Sequence, residues 1–192
     1  MKKEEILNKV AREQITNNNQ WDSFLKTCKA SDIFVFIDGA YSNGDEIMAG
    51  AAIAYLTNEE WEANDPVEWS DWFDNGHYTN SNLGGIASEA FAFKISLKLL
   101  NSAFNQTKEY RELRNNKIYI FADNQEIVQE TNLLLHGINI GQRRITQPIS
   151  SMLKALEKVK YKNNIKVIRM SRNFPWMQKV HKLANDEKQA AR

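Results

Sequence analysis

Apolar and polar positions change period from one segment of the chain to the next, and the changes mark its elements. Ile6, Leu7 and Val10 fall on one side of a short helix over 3–14. The polar run Thr16-Asn17-Asn18-Asn19-Gln20 breaks it, and a second short helix is expected within 21–30. Five apolar residues, Ile33-Phe34-Val35-Phe36-Ile37, then read as a buried strand ended by Asp38 and Gly39. The turn after it contains Asn43-Gly44, which favours an antiparallel hairpin into an apolar strand over 47–56. A third strand is expected near 67–79, behind Pro66. The helix expected over 84–104 opens on small residues and is apolar on most sides. An apolar strand over 117–123 again ends in aspartate, and 124–135 read as the next helix. After a loop come an amphipathic helix over 148–162 with Pro148 in its first turn, a strand over 165–171 and a closing helix over 175–191. Hairpins first and helix-linked strands later predict an α/β fold, a mixed five-stranded sheet with helices on both faces. Residues 1–30 read as a helical N-terminal appendage and 31–192 as the main domain.

Composition narrows the setting. The chain has 192 residues, 42% of them hydrophobic, enough for one domain with a core. Its single cysteine, Cys28, rules out an internal disulfide and a cysteine-based zinc site. No apolar run approaches the roughly 18 residues of a membrane span, and the N-terminus lacks the apolar core of a signal peptide. A cytoplasmic location without membrane contact is the expectation. The net charge of +1 hides an asymmetry. Residues 1–140 hold 12 Lys/Arg against 21 Asp/Glu, a net of −9; residues 141–192 hold 13 against 3, a net of +10. A basic last quarter fits either a polyanion-binding face or a solvated helix whose charges meet the acidic part of the same molecule.

Candidate chemistry lies in three acids. Asp38 and Asp123 each end an apolar strand, and neighbouring parallel strands would bring both to one sheet edge, where ligands bind in open α/β sheets. Taken singly, each can equally cap the next turn or helix, Asp123 as the N-cap of the helix over 124–135. Glu89 lies among Ile86, Ala90, Phe93 and Leu97 in the apolar helix. A carboxylate on that side is costly unless used, although the helix's first turn also favours an acid. Three hard oxygen donors suit magnesium or manganese rather than zinc, in the service of phosphoryl chemistry.

Taken together, "FVFIDGAYSNG", "ASEAFAFKISLKLL", "IYIFADNQEIVQ" and "VHKLANDEKQAA" resemble the ribonuclease H family of type 1-like members over roughly 33–191. In that family the first strand ends in Asp-Gly-Ser/Ala, a helix after the third strand carries a glutamate, and the fourth strand ends in Asp-Ser/Asn. An exonuclease family of the same superfamily is less similar, since it places Asp-x-Glu on the first strand, where this chain reads Asp38-Gly39-Ala40.

The resemblance implies a metal-dependent endonuclease. It would hydrolyse the RNA strand of RNA–DNA hybrids with two Mg2+ ions, Mn2+ being an alternative, and leave 5′-phosphate and 3′-hydroxyl ends. Asp38, Glu89 and Asp123 would be the catalytic metal ligands. His181 would stand beside them as ligand or near-ligand, in the place where the family's closing helix usually carries an aspartate; as an isolated helix residue it would simply face solvent. Five helical positions on, Asp186 faces away from His181. The family's asparagines before the glutamate are replaced by Gly85 and Ile86, while Asn80 and Asn82 lie earlier. Gln125 matches a residue near the substrate backbone. The loop before the last helix lacks the family's histidine but offers Arg172, Trp176 and Lys179 as phosphate or stacking contacts, Trp176 being equally suited to packing that helix onto the core. Asn43, Arg143 and Arg144, with Lys154 and Lys158 on the basic face, complete the expected nucleic-acid contacts. The alternatives are a nuclease of the same fold acting on DNA or structured RNA, and a catalytically weak nucleic-acid-binding module. Trp61, Trp69 and Trp72, in the acidic stretch 57–83, fit a cover for the sheet's outer edge or a surface for an unknown protein partner.

Overall fold

The computed structural model describes residues 1–42, 47–74, 81–138 and 145–191, with backbone only at 81–83. The elements run α1 (Lys3–Arg12), α2 (Asn18–Thr27), β1 (Ile33–Ala40), β2 (Ile47–Tyr55), α3 (Asn58–Ala63) and β3 (Val67–Asp74). They continue with α4 (Ser81–Phe104), α5 (Lys108–Leu113), β4 (Ile118–Ala122), α6 (Gln125–Leu135), α7 (Gln147–Glu157), β5 (Ile165–Arg169) and α8 (Pro175–Ala190). The strands form one sheet in the order β3-β2-β1-β4-β5. β1, β2 and β3 pair antiparallel, while β4 and β5 join parallel to β1 and to each other. This is the mixed five-stranded sheet that the sequence pattern predicts. No described helix is long and apolar enough to cross a membrane.

Each face of the sheet carries its own core. Ile33, Val35 and Ile37 of β1 join the cluster under α4, α6 and α7. Phe34 and Phe36 join the cluster under α2 and α8, to which Trp61 of α3 adds its ring. The split follows from the two-residue alternation of side chains along a strand.

Four details differ from expectation. β1 does not end at Asp38: the hairpin ladder runs on through Gly39↔Gly50 and Ala40↔Ala49. β3 ends at Asp74, and the rest of the expected 67–79 lies outside the described residues. The seventh helix stops at Glu157, before a short 3-10 turn at Lys162–Asn164. Helices α3 and α5 fill stretches to which no element is assigned from the pattern. Each is opened by a threonine cap, Thr57 accepting from the Glu60 N–H and Thr107 from the Tyr110 N–H.

Residues 1–30 are seated on the sheet. Ile6, Ile15 and Trp21 are buried. Ile15 makes a parallel bridge beside Met170, its N–H donating to the Arg169 carbonyl at 2.8 Å and its carbonyl accepting from the Ser171 N–H at 2.9 Å. Trp21 packs among Phe24, Phe34, Phe121 and Trp176. Trp69 and Trp72, the other two tryptophans of the acidic stretch, lie exposed on the edge strand β3.

Candidate active site

The register of β1 against β4 places the two aspartates. Ile33 pairs with Ile118 and Phe36 with Phe121. Continuing that register two residues sets Asp38 level with Asp123, the first residue after β4. Asp38 stays inside a strand because β1 goes on pairing with β2, so it caps nothing. Asp123 is not the cap of α6 either, since Asn124 Oδ1 accepts from the Ile127 N–H at 3.0 Å. Both carboxylates are thereby free for other work.

Gly39 brings in the third acid. A Cβ there would lie 2.4 Å from the Ser88 carbonyl carbon and 2.7 Å from the Glu89 nitrogen. Only a residue without a side chain lets α4 settle this closely on β1, and the contact falls at Glu89 itself. Asp38 and Glu89 are both buried. Burial, then the neighbouring Asp38 charge, pushes the Glu89 carboxyl well above the usual carboxylate range. Its Oε2 is buried without a hydrogen-bond partner.

Two cationic side chains complete the cluster. Arg172, in the loop after β5, places Nε 2.6 Å from Asp123 Oδ2 and Nη2 3.5 Å from Asp38 Oδ1 and 3.9 Å from Glu89 Oε1. Partial burial lowers the guanidinium's proton affinity, but the three carboxylates outweigh it and the net shift is upward. The loop is anchored by the Ser171–Ile15 hydrogen bond, so the N-terminal segment helps to position Arg172. His181 of α8 donates from Nδ1 to Asp38 Oδ2 at 2.5 Å, with Asn185 Nδ2 3.0 Å from its Nε2. That pairing assigns the proton to Nδ1 if the ring is neutral. The hydrogen bond to Asp38 is the main reason the imidazole's pKa is raised.

Asp38, Glu89, Asp123, His181 and Arg172 are therefore gathered at one edge of the sheet. Among the described residues no three His, Cys, Asp or Glu side chains stand close enough to hold a metal ion as they are placed. The Arg172 guanidinium lies among the three carboxylates, where a cation would have to enter. Half of that side chain is exposed, so it has room to leave. The donor set remains one of hard oxygens, and the orphaned Glu89 Oε2 is an acceptor with nothing to accept from. Both features fit a divalent cation of the magnesium or manganese kind.

The other expected contacts divide. Gln125 is exposed at the first turn of α6, beside the site. Lys179 is paired with Glu68 at 3.3 Å. The stacking role expected of Trp176 is taken up by the core: its ring stacks on Phe36 and Trp61 at centroid distances of 5.5 and 5.2 Å. Asn82 lies in the first turn of α4, in the stretch described by backbone only. Asn43, Arg143 and Arg144 lie outside the described residues. Asp186 faces away from His181 and pairs with Lys182 at 2.6 Å. Asn185 carries no individual signal in the sequence pattern, and Gly39 reads there only as the residue after the strand's aspartate. Asn185 stands four residues after His181, a spacing that puts two side chains on one helix face.

No family model matches the chain, and no curated protein matches it. Solved structures do. A ribonuclease H1 isolated from compost by a metagenomic approach superposes with a TM-score of 0.56 at 15% identity, over 84% of this chain and 98% of that one. The same enzyme in complex with an RNA/DNA hybrid gives 0.53 at 11%, over 83% and 98%. Ribonuclease H1 of the archaeon Halobacterium salinarum gives 0.51 at 12%, over 83% and 98%. The likeness shows the fold: this chain has a ribonuclease H-like α/β fold.

Proposed function

We propose that this chain is a metal-dependent endonuclease that hydrolyses the RNA strand of RNA–DNA hybrids. The observation that carries the reading is the convergence of Asp38, Glu89 and Asp123, from β1, α4 and the end of β4, on one edge of a ribonuclease H-like sheet. One structural neighbour was solved with an RNA/DNA hybrid bound, which supports that substrate class.

In this reading Asp38, Glu89 and Asp123 hold Mg2+ or Mn2+, with His181 beside them. Two such ions, when bound, would supply an activated water and stabilise the leaving 3′ oxygen. The chain's own residues prepare the site. Gly39 lets Glu89 reach the carboxylate edge. His181 Nδ1–H holds one oxygen of Asp38, and Asn185 fixes the ring. A histidine engaged at both nitrogens serves first as a holder of Asp38 and becomes a ligand only by giving up one partner. Arg172, once released from the carboxylates, offers a planar fork that suits a substrate phosphate.

The test is cleavage of a labelled hybrid with Mg2+ and with Mn2+, wild type against Asp38→Asn. The expected result is cleavage of the RNA strand by wild type and a loss on the order of 10³-fold in the variant. Equal rates would refute the assignment. A second reading, cleavage of DNA or structured RNA, is favoured by Gly85 and Ile86, which offer no polar side chain at the two positions where the resembled family places asparagines. Duplex DNA, duplex RNA and branched DNA in the same panel separate the two.

A further inference from the structure

Helices α4 and α7 lie side by side and parallel. Midway along them Lys94 Nζ donates to Ser151 Oγ at 3.1 Å. Toward their ends Tyr161 Oη, just past α7, donates to Asn101 Oδ1 at 2.6 Å. Helical periodicity places Ala87, Phe91, Lys94 and Lys98 on one stripe of α4, and Ser151, Lys154 and Lys158 on the facing stripe of α7. Four lysines thus line the seam. The only acid of α4, Glu89, is on the opposite side of that helix. The only acid of α7, Glu157, borders the stripe three residues after Lys154 but forms no ion pair with Lys154 or Lys158. Among the described residues none of the four lysines makes an ion pair.

Lys94 is the least comfortable of the four. Half-burial, and then the nearby charge of Lys98, lowers its pKa. It donates to one hydroxyl, beside a cleft of about 280 Å³ lined by Phe73, Ala87, Phe91, Pro148 and Ser151. A half-buried ammonium with so weak a partner is a waiting place for an anion. The seven helical steps from Ser151 to Lys158 rise about 10 Å, close to the length of three nucleotides of duplex at about 3.4 Å each.

We infer that the α4–α7 seam is a track for the phosphate backbone of a nucleic acid, anchoring it through Lys94, Lys98, Lys154 and Lys158. The inference rests on the nuclease reading. Because Glu89 faces the other way, the phosphates held here flank the cleaved segment and are not the ones attacked.

The test uses the full chain, a fluorescent hybrid of about 30 base pairs, and chelator to prevent cleavage. Binding is followed by anisotropy between about 50 and about 300 mM salt. The variant is Lys98→Ala/Lys154→Ala/Lys158→Ala, all exposed positions. A control, Lys9→Ala/Lys117→Ala, removes charge from a separate pocket beside α1 and the start of β4, away from the carboxylate edge and off the seam. The seam variant should lose about 2.7 from the salt slope, at about 0.9 per phosphate contact, and bind at least about 30-fold more weakly near 100 mM salt. Lys→Arg at the three positions should restore both, and the control should match wild type. Wild-type slope and affinity in the seam variant would overturn the track, as would equal losses in seam variant and control. Those outcomes leave the nuclease reading standing, whereas wild type binding no nucleic acid at all would overturn both.

Discussion

Replacing Arg172 by alanine should tighten metal binding and weaken the metal-free fold. The guanidinium stands 2.6 Å from Asp123, 3.5 Å from Asp38 and 3.9 Å from Glu89, so a divalent ion has to displace it before all three carboxylates can serve as ligands. Two unit charges about 4 Å apart attract by about 4 kcal/mol at the effective dielectric of a protein surface. Half of Arg172 is exposed, and solvent screening cuts its net hold to about 1–2 kcal/mol. Removing that competition lowers the Kd for Mn2+ or Mg2+ by about 5- to 30-fold. The same loss leaves three acids without their counter-cation, which lowers Tm in chelator by about 2–8 °C at this chain length. Calorimetric titration with Mn2+ and a melting curve in chelator read the two effects without reference to activity. Metal affinity that stays the same or falls, with Tm unchanged, refutes the argument that Arg172 competes with the ion.

Gly39→Ala drives a methyl group into the Ser88–Glu89 backbone and should cost about 1–3 kcal/mol, seen as a Tm lower by about 3–10 °C; a wild-type Tm means that α4 does not need this close approach. In chelator the protein should lose stability as pH rises above the ordinary imidazole value of about 6.5. The pKa of His181 is raised by its bond to Asp38, so its contribution is fully present below the ordinary imidazole value and fades as pH climbs through the folded one. Glu89, also raised, acts in the same direction. His181→Ala should flatten the profile, and an identical slope in the variant argues against the bond. Trp21→Ala removes a ring from the aromatic cluster and should cost about 3–5 kcal/mol by denaturant unfolding, where an independent appendage would give almost no change.

The parts of the fold that are legible in the sequence are those whose burial leaves a mark on composition. β1 and β4 lie between two helical layers, so both read as unbroken apolar runs, and each run is interrupted by a carboxylate at the same level of the sheet. Sequence order shows that Asp38 and Asp123 come after such runs; only the 33↔118 pairing shows that they stand opposite one another. The features that stay hidden depend on the third dimension. Arg172 reads as a basic loop residue and becomes the partner of three acids because β5 ends beside β4 and Ile15 ties the following loop down. Trp176 sits in the same basic segment and reads equally as a stacking or a core residue; α2 and α3 bring Trp21 and Trp61 against it, which takes its ring into the core. Gly39 carries the most information for its size. A glycine after the strand's aspartate reads as the start of a turn, but the strand continues, and the missing side chain is what admits α4 and with it Glu89. The motif Asp38-Gly39 is therefore one unit with two tasks: the aspartate supplies a carboxylate, and the glycine makes room for the next one.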